Sequence, residues 1–234
     1  MKELLLRVSE DRASLLSPGG PETGDGVRLG SPGAGCELAA QISAGLGQGF
    51  AGRKLVIVAG SAKILVRVMA GRDLGRRPAG AAAWAAVKAA FPFGGRINEA
   101  SHVFDVSACG GGLLVCYGMP AGLCRLLADA GLALAGDGLM GIVPEEHFVF
   151  ERLGRLAGAG DALVALRQGR AVRLLSVAGG MPRAAYLISG SPETRREELL
   201  RALGAAGNGR LCRFWPGDGL EWLENYANFK ELGK

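Results

Sequence analysis

Apolar residues follow two rhythms along this chain, and their alternation predicts a mixed α/β protein. Leu4 to Val8 and Ala13 to Leu16 are short apolar runs on either side of Ser9-Glu10-Asp11-Arg12, the pattern of a hairpin. Residues 17–35 are rich in Gly and Pro around Val27 to Leu29, which predicts loops flanking one edge strand. Leu38, Ile42 and Leu46 then recur every four positions, the stripe of a helix over Glu37 to Leu46 that stops at Gly47. Lys54 to Ala59 is unbroken and apolar after its lysine, as a strand buried on both faces would be, and Ile64 to Met69 predicts another strand.

Pro78 to Ala90 carries Trp84, Val87 and Phe91 at helical spacing and ends before Pro92. Val103 to Ala108 and Leu113 to Tyr117, joined by Gly110-Gly111-Gly112, predict a hairpin. Helices are expected over Pro120 to Ala130, closed by Gly131, and over Pro144 to Leu156. Three strands follow, Ala162 to Leu166, Ala171 to Val177 and Ala184 to Ile188. A helix over Pro192 to Ala206 with Ser191 as its N-cap, a strand over Leu211 to Phe214 and a helix from Leu220 to about Phe229 complete the chain.

Residues 4–59 and 162–214 therefore share one order: hairpin, third strand, helix, strand. A β-β-β-α-β unit that occurs twice predicts two lobes with a cleft between them. The chain has 234 residues, 49% of them hydrophobic, enough for such a core. No run of 18 apolar residues accumulates, because Lys88, Arg125, Asp129 and Asp137 interrupt the richest region, so no transmembrane helix is expected. Too few apolar residues precede Arg7 for a signal peptide, which predicts a cytoplasmic chain.

Charge narrows the partners. The net charge is +5, but the basic residues occur as scattered pairs such as Arg76-Arg77 and Arg195-Arg196, without the basic stripe and interleaved aromatics of a nucleic-acid groove. No nucleic acid is expected; an anionic membrane surface or an acidic protein suits the spread charge better. Cys36, Cys109, Cys116, Cys124 and Cys212 form no Cys-x-x-Cys pair and are odd in number, so reduced, mostly buried thiols are expected rather than disulfides or a metal knuckle.

The middle of the chain also carries a resemblance. Leu55-Val56-Ile57-Val58-Ala59-Gly60, Leu65-Val66-Arg67-Val68, Ala86-Val87-Lys88-Ala89-Ala90-Phe91-Pro92-Phe93 and His102-Val103-Phe104-Asp105-Val106 come in that order. They are followed by the strand Leu113 to Tyr117 and by Leu127-Ala128-Asp129-Ala130-Gly131-Leu132. Across roughly residues 50–190, this succession resembles the type IV pilus assembly protein PilM and the cytoplasmic domain of the type II secretion protein GspL, both of the actin-like, ribonuclease-H-type fold. The resemblance implies a duplicated fold with a first lobe over 1–158, a subdomain inserted at about 62–118, and a smaller second lobe over 159–234.

It also implies a non-catalytic scaffold at the cytoplasmic face of the bacterial inner membrane. Its partners would be the secretion or pilus ATPase and inner-membrane platform proteins, and the resemblance leaves a homodimer open. Membrane attachment would run through a segment outside this chain, approached by Tyr226, Phe229, Lys230 and Lys234. The alternative that it raises is an actin-like protein binding ATP through degenerate phosphate loops.

Actin-like ATPases grip phosphates with two hairpin turns that combine glycine and a carboxylate. Here the first turn, Ser9-Glu10-Asp11-Arg12-Ala13, lacks glycine, and the second, Leu166-Arg167-Gln168-Gly169-Arg170, lacks a carboxylate. Arginine does not replace an acid that holds Mg²⁺, so no hydrolysis, cofactor or metal is expected.

Other chemistry is sparse. On one strand His102 and Asp105 face opposite sides, a poor start for a triad with Ser107, and His147 after Glu145-Glu146 suits a capping role at a helix start. The aromatics Phe91, Phe93, Trp222, Tyr226 and Phe229 are the candidate partner-binding residues, the last three on one face of the C-terminal helix, with core packing as the competing expectation.

Overall fold

The computed structural model describes residues 3–16, 26–47, 49–71, 80–91, 96–109, 112–155, 162–168, 171–179, 181–191, 210–215 and 219–223, with single residues at 93, 194, 197, 198 and 201. Strands β1 (Leu4–Ser9) and β2 (Arg12–Leu16) form the first hairpin, and β3 (Val27–Arg28) extends it as a short edge. Helix α1 (Gly35–Leu46) leads to β4 (Leu55–Gly60), which pairs parallel to β1 with Leu6 opposite Ile57. With β8 (Leu139–Pro144) parallel to β4, the first sheet has the order β3-β2-β1-β4-β8. Ile57 and Val58, which point to opposite faces of β4, are 1% and 0% exposed, so the strand is covered on both sides as its unbroken apolar run predicts.

Between β4 and β8 lie β5 (Leu65–Ala70), α2 (Gly80–Ala90), β6 (His102–Ala108), β7 (Leu113–Pro120) and α3 (Ala121–Ala135). The three strands form a separate antiparallel sheet, β5-β7-β6, backed by α2. Helix α4 (Glu145–Arg155) then leads to β9 (Ala162–Gln168), β10 (Ala171–Ala178), β11 (Met181–Ile188), β12 (Arg210–Trp215) and β13 (Gly219–Leu223). Their sheet runs β11-β10-β9-β12-β13, with β12 parallel to β9. The first four positions of this order repeat those of the first sheet, so the expected duplication is present. A single apolar core joins the two, with Leu6, Ile57 and Val149 in the same cluster as Val164, Leu166 and Leu175.

Three expectations need correcting. Strand β8 is absent from the sequence-based pattern, because Gly138 and Gly141 break up its apolar residues and leave no run long enough to stand out. Helix α3 continues through Gly131 to Ala135; the glycine is a contact point, since a Cβ there would come within 2.7 Å of Leu139 and 3.0 Å of Ile57. The third correction concerns the C-terminus: residues 220–223, where the spacing predicts the start of a helix, lie in β13, antiparallel to β12. The Pro-Gly-Asp-Gly sequence at 216–219 is a turn signal, and a hairpin gives β12 a second partner that a helix would not. Most of the helix expected over Pro192 to Ala206 lies outside the described residues. At its start, Ser191 Oγ accepts the Thr194 N–H at 3.2 Å, the bond expected of that cap.

Candidate functional site

Two features meet at the carboxyl ends of β1 and β4, where the chain order of the first sheet changes direction and ligand sites of open α/β sheets tend to lie. The first is a junction of charges between the lobes. Arg7 on β1 and Arg173 on β10 interrupt apolar strands and are 6% and 4% exposed, so each needs a buried counter-charge. Helix α4 supplies both: Glu145 and Glu146, at its first two positions, are fully buried. Arg7 Nε donates to Glu145 Oε1 at 2.6 Å, and Arg173 Nε forms an ion pair with Glu146 Oε1 at 2.9 Å. Gln168, at the end of β9, bridges the pair by donating to Glu146 Oε1 at 2.9 Å and to Glu145 Oε2 at 3.5 Å.

Burial raises the Glu146 carboxyl above its ordinary value, against the opposing pull of Arg173 and the hydrogen bond from Gln168. Glu146 Oε2, Gln168 Oε1 and the Tyr117 hydroxyl are buried without a hydrogen-bond partner among the described residues. Burial, with nearby acidic groups adding to it, also pushes the Tyr117 hydroxyl well above its ordinary value.

The junction sits between the two turns where an actin-like ATPase would hold phosphates. Arg7 lies just before the first turn and Gln168 within the second, and Glu145 connects them. In the first turn Ser9 Oγ bonds to Asp11 Oδ1 and to the Arg12 carbonyl, so this hydroxyl is engaged within its own turn. Each buried carboxylate already faces an arginine, an arrangement that does not fit Mg²⁺ or a triphosphate. Gly169 and Arg170 of the second turn lie outside the described residues. No group of three or more His, Cys, Asp or Glu that could hold a metal is present among the described residues.

The second feature is a cavity of about 310 Å³ beside the junction. Leu38 of α1 and Leu123, Leu126 and Leu127 of α3 give it an apolar wall, while Glu10 and Lys63 stand at its polar side. Gly60 belongs to both features: it lines the cavity, and a Cβ on it would approach Glu145 Oε2 to 2.7 Å. A side chain at residue 60 would therefore have to displace the buried acid.

The candidate aromatics are dispersed. Phe91 is 4% exposed and packs, with half-buried Phe93, around Phe104 at centroid distances of 5.6 and 5.2 Å in the core of the small sheet. Trp222 lies on β13 opposite Cys212, at a strand position where the spacing predicts a helix, and Tyr226 and Phe229 lie outside the described residues. The shared helical face of these three is therefore corrected at Trp222.

His147 does not cap α4. Its Nδ1 lies 3.2 Å from Ser107 Oγ, its ring meets Tyr117 edge-on, and its Nε2 is 3.6 Å from Glu151, tying α4 to the small sheet. His102 instead stacks on Phe104 and contacts Ser101, and burial lowers its pKa. Cys109, Cys116 and Cys124 are free thiols raised by burial, Cys116 to about 11, which makes them poor nucleophiles. Sequence reasoning misses the junction itself. Its signal is the lone arginines within Leu4-Leu5-Leu6-Arg7-Val8 and Ala171-Val172-Arg173-Leu174, together with two consecutive acids at a helix start.

No family model and no curated protein matches the chain. Solved structures do. A Bacteroides thetaiotaomicron protein with an actin-like ATPase fold and unknown function aligns over 87% of this chain and 76% of its own, at 11% identity and a TM-score of 0.56. A PilM-PilN type IV pilus biogenesis complex aligns over 88% and 68%, at 15% identity and 0.56. The cytoplasmic domain of EpsL, an inner-membrane component of the Vibrio cholerae type II secretion system, aligns over 96% and 87%, at 12% identity and 0.54. Likeness at these identities shows the architecture. The chain has the duplicated, two-lobed actin-like fold.

Proposed function

We propose that the chain is a non-catalytic scaffold of a type II secretion or type IV pilus inner-membrane platform, working at the cytoplasmic face of that membrane. Its partners would be the system's cytoplasmic ATPase and inner-membrane platform proteins. The fold it shares with PilM and with cytoplasmic EpsL supports the setting, since PilM forms a type IV pilus biogenesis complex with PilN and EpsL is an inner-membrane component of a type II secretion system. No helix among the described residues is long and apolar enough to cross a membrane, so attachment would come through a partner or a segment outside these residues.

The observation that carries the proposal is the contrast at the ends of β1 and β4. The phosphate region is filled by paired side chains, while an open, largely apolar cavity stands beside it. A cavity walled by Leu38, Leu123, Leu126 and Leu127 suits the apolar side chains of a short peptide, such as the cytoplasmic tail of a membrane partner. Glu10 and Lys63 at its polar side suit that peptide's charged groups.

The test uses the full chain and a synthetic peptide copying the cytoplasmic tail of the inner-membrane protein encoded beside it, followed by fluorescence anisotropy. Saturable micromolar binding that Leu123→Trp weakens is expected. No binding of any neighbouring tail, together with no co-purification of the cognate ATPase, would overturn the scaffold function.

A further inference from the structure

The strand β4 ends at Gly60, and residues 60–64 connect it to β5. One side of this connection is the cavity: Gly60, Ser61 and Lys63 all line it. The connection is bound into the first lobe, because Ser61 Oγ donates to Glu10 Oε1 at 3.1 Å. It is also internally braced. The Lys63 N–H donates to Ser61 Oγ at 3.2 Å and the Ile64 N–H to the Ser61 carbonyl at 3.1 Å.

Its far end is held by the other lobe. Arg173 Nη2, on β10, donates to the Ile64 carbonyl at 2.6 Å, and both residues are buried. The same guanidinium faces Glu146, whose neighbour Glu145 presses against Gly60 and pairs with Arg7. Residues 60–64 are thus tied near one end to Glu10, with Glu145 packed close to Gly60, and at the other end to Arg173, with the cavity rim between.

We propose that residues 60–64 form a strap that couples the first-lobe cavity to the position of the second lobe. A shift of β10 relative to the first sheet must either pull the Ile64 carbonyl with Arg173 or break a buried, charge-assisted bond. The strap therefore has two arrangements, held and released, and the cavity rim differs between them. Coupling of this kind is reciprocal. A segment that seats on Gly60, Ser61 and Lys63 in the held arrangement favours the lobe orientation in which Arg173 reaches Ile64, and that orientation presents the rim to the segment. The consequence for docking rests on the function proposed above, whereas the mechanical link belongs to the free chain.

The test is amide hydrogen exchange on the full chain without any ligand, read by mass spectrometry on peptides covering 60–66, 113–120 and 171–178. The double variant Glu146→Met/Arg173→Met removes both charges of one arm together and leaves no buried charge unpaired, so it is expected to fold. Exchange at 63–65 should rise at least tenfold in it, while β7 at 113–120 stays as slow as in the wild type. Arg173→Lys is the second variant: it keeps a cation beside Glu146 but has lost the second nitrogen that reaches Ile64, and it should accelerate the strap in the same direction.

In the reverse direction, Ser61→Ala loosens the first-lobe end of the strap and should speed exchange at the start of β10. Unchanged exchange at 63–65 in either folded variant overturns the coupling. So does acceleration spread equally over β7, which reports general destabilisation. Because no peptide is present, failure here leaves the docking test standing, and failure of docking leaves this one standing.

Discussion

The junction and the cavity share Gly60 and lie at the ends of the same two strands, yet they are opposite in character. One is a packed set of two acids, two arginines and a glutamine; the other is an open space of about 310 Å³ walled by leucines. Arg7, just before the first hairpin turn, and Gln168, within the second, both bind Glu145 of α4. Charge is used internally to hold the lobes, and the cavity beside it is walled by apolar residues of α1 and α3.

The largest effect should come from breaking the junction on one side. Glu145→Ala removes the counter-charge that faces the buried Arg7, and a loss of about 3–5 kcal/mol is expected, read as a lower midpoint in urea denaturation. Gly60→Ala probes the residue that both features share, because the new methyl must displace Glu145 Oε2 from 2.7 Å. An overpacking cost of about 1–3 kcal/mol follows, measured the same way.

Leu123→Trp acts on the cavity, which Leu123 lines from α3 at the edge of the core. It should weaken tail binding about tenfold, with stability changed by less than about 1 kcal/mol.

The smallest effect is a pH dependence. Burial raises the folded-state value of Glu146 above that of the unfolded chain, so the folded chain binds the proton more tightly. Stability is then lost as pH rises from the ordinary carboxylate range through the raised folded value. Glu146→Gln, which does not titrate, should flatten this part of the stability profile in denaturation series run at stepped pH.

Much of this architecture is legible in the sequence because local chemistry and the fold agree. The hairpin around Ser9 to Arg12, the doubly buried β4 and the three strands β9 to β11 each carry the period their environment demands. Where tertiary contact overrides local signal, the sequence misleads. Gly131 resembles a helix stop because its role, close approach to Leu139 and Ile57, depends on residues outside its own helix. β13 resembles a helix because Trp222, Tyr226 and Phe229 happen to have helical spacing, while the pairing with β12 that decides the matter is not written in spacing at all.

The candidate site divides the same way. That neither turn combines a glycine with an acid is visible from composition alone, but the partners that fill the gap lie 138 residues apart in the case of Arg7 and Glu145. Phe91 announces itself as an aromatic anchor by type; only the packing of Phe104 and Trp84 around its cluster shows that the small sheet uses these rings as its own core.

The proposed scaffold function leaves the junction between the lobes to paired side chains rather than to a nucleotide. Isothermal titration of ATP with Mg²⁺ into the full chain puts this to the proof. No binding heat is expected at ligand concentrations up to about 1 mM, so any affinity would be weaker than about −4 kcal/mol in free energy. Saturable binding in the micromolar range, abolished by Glu145→Gln, would contradict it.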